Sequence, residues 1–280
     1  MRKNRALEIL PTLAANHATP TILFLMNNAA GPDALVEALG RERVLIGFPN
    51  AGGYREGPVV HCLMGTADSP SAIPFGEVDG QMTDRALQVA QVFDSVPGMR
   101  AELRSDMDTW SKYHVALLMP SLAPALYMVG TDNSRMARTR DAVVLAVRAV
   151  REGFRVLRTL GYPVTPAKFK AFTWLPEPFL VAWVQRLLTN PLMEVALVRH
   201  ANAARDEVKQ LADEFRVLVS RTSVPTPAMD RLYAYLDPET PLMPEGSAEI
   251  PLDWRGVWLA AGALVGLVGL GAFVWKSRKE

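Results

Sequence analysis

Two short apolar runs, TILFLM at 21–26 and RVLIGFP at 43–49, are each bounded by turn residues and read as buried strands. Between them Pro32 suits a first helical turn and Gly40 a helix end, which predicts a helix over Asp33–Leu39. Upstream, Leu7, Leu10 and Leu13 recur at a helical spacing, with Pro11 expected to kink or end that helix. GPVVHCLM (57–64) and SAIPFGEV (71–78) have the composition of an antiparallel pair, and DRALQVAQVFDSV (84–96) that of a covering helix. Residues 1–104 are therefore α/β material.

From Asp106 the period changes to that of a helix throughout. Val143, Val147, Val150, Phe154 and Leu157 form one apolar stripe, while Arg148, Arg151, Arg155 and Arg158 fall elsewhere on the wheel. Gly161 and Pro163 end that helix. A long helical run is expected from about 191 to 220, and SVPTPAM (223–229) starts a shorter one. The predicted class is thus α/β followed by all-α, with an α/β domain over 1–104 and a helical domain over 105–237. Four prolines in 235–253 predict a linker, placed at 238–253.

Residues 256–275 hold no charge, and 20 residues of helix at about 1.5 Å each match a hydrocarbon core of roughly 30 Å. Trp254, Trp258 and Trp275 stand near the ends of the run, where indole rings favour the headgroup zone. The expectation is a transmembrane helix over 254–275, closed by a basic tail at 276–280. Gly262 and Gly266 form a GxxxG pair compatible with a homodimer. Lys276, Arg278 and Lys279 favour a cytoplasmic tail, but that orientation exports about 250 residues without a signal. Moving a short tail across is easier, so the soluble body is expected in the cytoplasm.

Charge narrows the function classes. With 30 basic and 29 acidic residues the net charge is +1, which gives no electrostatic case for nucleic acid. Cys62, the single cysteine, excludes an internal disulfide and is expected to be a buried free thiol. The four histidines and scattered acids show no metal-ligand spacing, so no metal site is expected.

Two stretches could carry chemistry. In DMDTWSKYHVALLMPSL (106–122), Lys112 lies near Trp110 and His114 in an otherwise apolar helix. A lysine there is either a solvated surface residue or a shielded proton donor or anion ligand. In VRHANAARDEVKQLADEF (198–215), Ala201, Ala203 and Ala204 make a thin face, and His200 and Glu207 are two turns apart on one side. Close helix packing and a polar site both fit that pattern.

Taken in order, FLMNNAAG, IPFGEVDG, DMDTWSKYH, REGFRVLRTLGYPVTP, HANAARDE and VPTP make the chain resemble the ketopantoate reductase family over roughly 1–237. The resemblance implies a Rossmann-type NADP-binding domain and a helical domain similar to that of 6-phosphogluconate dehydrogenase. It also implies NADPH-dependent reduction of a small 2-keto acid to a 2-hydroxy acid in the cleft between them. It makes Lys112 the catalytic lysine that polarises and protonates the keto oxygen, and Glu207 the acidic partner on the long helix. Asn28 would lie beside nicotinamide and substrate, Arg2 would supply a basic group to the cofactor, and His114 and His200 would line the substrate.

Two departures qualify this. Members devoted to ketopantoate carry asparagines four and eight residues after the lysine, where this chain has Ala116 and Pro120, so a different keto acid is expected. No G-x-G-x-x-G turn occurs in the sequence, and that turn is what holds a dinucleotide pyrophosphate. The first strand-turn-helix unit is expected to be missing, supplied upstream, by another chain, or lost. The alternative function is a non-enzymatic, membrane-anchored interaction module that keeps the helical fold.

Overall fold

The computed structural model describes residues 3–63, 65–259 and 261–262. Helices α1 (Lys3–Glu8) and α2 (Leu10–Ala15) precede strand β1 (Ile22–Leu25). The helical run breaks at Ile9, as expected from Pro11, and Pro11 itself sits in the first turn of α2, where its missing N–H costs no hydrogen bond. Helix α3 (Asp33–Leu39) stops at Gly40, whose φ of +82° a side chain would resist. Strands β2 (Val44–Gly47), β3 (Gly52–Glu56), β4 (Val59–Leu63) and β5 (Ser71–Glu77) follow, then α4 (Asp84–Asp94) and β6 (Met99–Leu103).

The main sheet is mixed, in the order β1-β2-β5-β6. β1 runs parallel to β2 with Ile22 opposite Val44, β2 antiparallel to β5, and β5 parallel to β6. The expected pairing of 57–64 with 71–78 does not form. β4 pairs instead with β3, a glycine-led stretch with no apolar alternation to announce it. Val59 and Val60 on β4 are exposed, and so is Cys62, contrary to the buried thiol expected. All three belong to a two-stranded hairpin outside the main sheet, where apolar character earns no burial.

Phe24, Leu35, Ile46 and Met107 pack on one face of the sheet; Leu45 and Phe75 pack under α4 through Ala86 and Ala90 on the other. Gly76 on β5 has a packing reason: an added β-carbon would stand 2.1 Å from the Arg104 carbonyl oxygen. Gly76→Ala is therefore expected to cost about 3 kcal/mol, because backbone must move. Urea unfolding would measure it, and an unchanged midpoint would contradict the close approach.

The helical part comprises α5 (Met107–Leu117), a π-helical turn (Leu118–Leu122), α6 (Ala123–Met128), α7 (Asn133–Arg138) and α8 (Arg140–Thr159). It continues with α9 (Ala171–Trp174), α10 (Glu177–Leu188), α11 (His200–Ala203), α12 (Arg205–Ser220) and α13 (Pro227–Tyr233). The predicted stripe of α8 is its buried face: Val143, Val147, Val150, Phe154 and Leu157 all lie in the core. The single run expected over 191–220 is broken. A π-helical turn (Glu194–Arg199) leads into α11, and Ala204, with φ −134° and ψ 31°, separates α11 from α12. Continuous-helix spacing therefore does not place His200 and Glu207 on a common face.

The expected proline-rich linker is a docked strap. Met243 is buried and donates its backbone N–H to the Met128 carbonyl at 2.9 Å. The Asp141 carboxylate, only 2% exposed, accepts from the backbone of Glu249 and Ile250 at 2.8 and 2.9 Å and from the Ser247 hydroxyl at 2.6 Å. Arg148 donates to the Pro251 carbonyl, and Glu177 accepts from the Asp253 N–H. Prolines kept the strap from helix, but buried polar partners hold it against α8 and α10.

Residues 255–259 begin a helix after the strap. Among the described residues no helix is long and apolar enough to cross a membrane. Most of the expected span, together with the basic tail and the Gly262–Gly266 pairing, involves residues outside those described.

Candidate functional site

Helix α5 leaves the sheet edge and enters the helical core, so its first turns stand between the two parts. Lys112 is on its inner side and is 3% exposed, which removes the solvated-lysine reading. Its ammonium pairs with the Asp108 carboxylate one turn earlier and lies 5.1 Å from the centre of the Tyr162 ring. Facing the pair is Gly31 with φ +92°, where a β-carbon would stand 3.6 Å from both Lys112 Nζ and Asp108 Oδ1.

Gly31 is held by Asn28, at the end of the chain leaving β1. The Asn28 amide donates to the Gly31 carbonyl at 2.8 Å, and its Oδ1 accepts from the Gly31 N–H at 3.2 Å. That oxygen also accepts from Lys3 Nζ at 2.8 Å. Lys3 Nζ in turn pairs with Glu214 at 2.6 Å, while the Lys3 backbone N–H donates to Glu207 Oε1 at 3.2 Å. Two buried lysines, Asn28, Asp108, Glu207 and Glu214 thus share one crevice between α1, β1, α5 and α12. Beside Asn28, the side-chain oxygen of Asn27 is buried and has no hydrogen-bond donor among the described residues.

The charges influence each other. Burial draws the Lys3 ammonium below its ordinary range; the Glu214 hydrogen bond and charge oppose this, and repulsion from Lys112 adds to it. Lys3→Met would leave the Glu214 carboxylate without its ion-pair partner and remove one of the two donors to the Asn28 oxygen, at an expected cost of about 2 kcal/mol. Denaturant unfolding reads this directly; no loss would mean that α1 does not close the crevice in solution.

The residues singled out from the sequence divide clearly. Lys112, Asn28 and Glu207 come together. His114 does not join them: it stacks on Trp110 at 5.0 Å and packs beside Phe48, on a side of α5 about 200° from Lys112. The side chain of His200 and all of Arg2 lie outside the described residues. Among the described residues the next basic residue, Lys3, reaches the crevice, and nothing in the charged opening MRKNR marks it as buried. Asp108 and Glu214 were also missed, although both carried a signal: i,i+4 from Lys112, and two turns beyond Glu207 on α12. Ala116 is fully buried and lies towards Gly153 of α8. An apolar cavity of 620 Å³, bordered by Met119, Val147, Phe172 and Val208, lies within the helical part and shares no residue with the crevice. No group of histidine, cysteine and acidic residues among those described could hold a metal ion.

A short α/β sheet, a helical body and a lysine-bearing crevice between them can be compared with known proteins. No protein-family model and no curated protein matches the sequence. Solved structures do. A D-mandelate dehydrogenase with NADH is similar with a TM-score of 0.63 at 12% identity, over 84% of this chain and 75% of that one. A dimeric ketopantoate reductase from Staphylococcus aureus gives 0.61 at 13% identity, over 84% and 74%. A ketopantoate reductase from Ralstonia eutropha gives 0.64 at 14% identity, over 84% and 72%. The fold is that of the ketopantoate reductases. At these identities the likeness is one of architecture, and the ketopantoate reductase fold carries its mixed sheet and helical body here with a crevice built from this chain's own residues.

Proposed function

We propose that the chain is a ketopantoate-reductase-like oxidoreductase acting on a small 2-keto acid, with Lys112 as proton donor to the keto oxygen. The observation that carries this reading is the burial of Lys112 in a crevice shared with Lys3 and Asn28. Asp108, Glu207 and Glu214 balance the charge of the two lysines there, so the chemistry rests on the placement of the Lys112 ammonium against a keto oxygen. A nicotinamide cofactor, as in the dehydrogenase structure with NADH, would supply hydride to the carbonyl carbon.

The crevice residues fit the reacting end of such a cofactor: Asn27 offers an unused buried acceptor to a carboxamide N–H. The pyrophosphate is another matter, because the sequence holds no glycine-rich turn to cradle it. The chain's own contribution is therefore at the substrate. As negative charge grows on the keto oxygen, the Lys112 ammonium stabilises it and passes a proton to it, leaving a neutral amine. Asp108 fixes the ammonium in place through their ion pair one turn apart on α5. Asn28 and Gly31 shape the wall opposite. NADP as the specific dinucleotide and a homodimer belong to this same proposal.

The proposal also keeps residues 256–275 as a membrane anchor with the body on the cytoplasmic side, supported by 20 uncharged residues between tryptophans. The functional test is oxidation of NADPH or NADH by the full chain against a panel of 2-keto acids. Turnover that depends on Lys112 supports the reading; turnover that survives Lys112→Met overturns the role assigned to it.

A further inference from the structure

The outward side of α8 bears arginines that the proposed chemistry does not use. Arg155 and Arg158 are exposed and make no hydrogen bond or ion pair among the described residues. Arg151, half-buried, holds α9 in place by donating to the carbonyls of Phe172 and Leu175. These three line one open hollow together with Trp174 and Gly256, the first residue of the uncharged stretch. Trp254 and Trp258 line the adjoining hollow with Arg151 and Arg155. Trp174 is 68% exposed and Trp258 71%, an unusual position for large aromatic rings on a water-facing surface.

The strap explains why this face has a fixed place. Its hydrogen bonds to Asp141, Arg148 and Glu177 run to residue 253, and Gly256 sits against Pro176. No flexible tether therefore separates the body from the apolar stretch. If that stretch spans a bilayer, the surface beside Gly256 is brought to the lipid headgroups.

We propose that the face formed by Arg151, Arg155, Arg158, Trp174, Trp254 and Trp258 lies on an anionic lipid bilayer, seating the body in one orientation. The inference rests on the anchor reading given above. Guanidinium groups form paired hydrogen bonds with phosphate oxygens, and each basic residue near an anionic surface contributes about 1 kcal/mol. The indole rings occupy the headgroup zone between water and hydrocarbon. The two hollows are also lined by Glu152, Glu177 and Asp253, but Glu177 is paired with Arg148 and the arginines outnumber the acids. The face therefore remains positive and matches an anionic cytoplasmic leaflet on the side assigned to the body.

The test uses the full chain in vesicles of phosphatidylcholine, alone or mixed with phosphatidylserine, with brominated acyl chains as tryptophan quenchers. The quenching due to Trp174 is the difference between wild type and Trp174→Phe. It is expected to be present in the anionic vesicles, weaker in the neutral ones, and reduced by high salt. In Arg155→Gln/Arg158→Gln the ratio of seated to unseated body should fall about tenfold or more. If the chain stays in the vesicles through an alkaline carbonate wash but Trp174→Phe changes no quenching, this proposal falls while the anchor stands. If the chain is washed out, the anchor itself is wrong and the seated face goes with it.

Discussion

Lys112→Met is expected to lower kcat/KM for 2-keto acid reduction by about 10³-fold, which corresponds to about 4 kcal/mol of transition-state stabilisation. The magnitude follows from where the ammonium stands. Lys112 is nearly fully buried, so water cannot replace the lost proton donor or screen the growing alkoxide. Methionine keeps the length and apolar stem of the side chain, which limits the change in packing. Because the interaction strengthens as charge develops on oxygen, kcat should fall more than KM rises. Far-ultraviolet circular dichroism and the unfolding midpoint verify that the variant is folded. Equal loss in kcat/KM with unchanged kcat would instead make Lys112 a residue that only binds the substrate carboxylate.

The second large effect concerns the strap. Asp141→Ala removes a buried carboxylate that satisfies two backbone N–H groups and a hydroxyl, leaving those donors without partners. The expected cost is about 3 kcal/mol in denaturant unfolding, and residues near 247–253 should become cleavable by protease before global unfolding. Burial raises the Asp141 pKa, but hydrogen bonds from Ser247, Ile250 and Glu249 outweigh it and hold the carboxyl below its usual 3.8. A depressed carboxyl stabilises the fold fully above the unfolded value of 3.8 and loses that contribution as pH falls through the folded value beneath it. The wild type should therefore show an acid transition that Asp141→Ala lacks. Coincident acid profiles for the two proteins would place the strap's stability elsewhere.

Local periodicity was a good guide where one face is buried against one neighbour. The stripe on α8, the strands at 22–25 and 44–47, and α3 with Gly40 at its end were all readable for that reason. Prolines were a partial guide, since proline restricts the backbone without saying what packs on it. Pro11 did mark the break between α1 and α2, whereas the prolines of the strap accompanied a segment bound to its own body. Exposure of Cys62 and the pairing of β3 with β4 depended on which strands share a sheet, a long-range choice that composition leaves open.

By itself the sequence determined the division into α/β and helical parts, the uncharged stretch at 256–275, and Lys112 as a lysine out of place among apolar neighbours. Only the tertiary structure decided what that lysine meets. Lys3, Asn28, Glu207 and Glu214 come from segments up to 211 residues apart, and no local rule links a lysine in a basic N-terminus to an acid on a distant helix. The physical reason is that helix and strand periods report which side of an element avoids water, whereas a charged site forms where several such elements converge and burial makes each charge depend on the others.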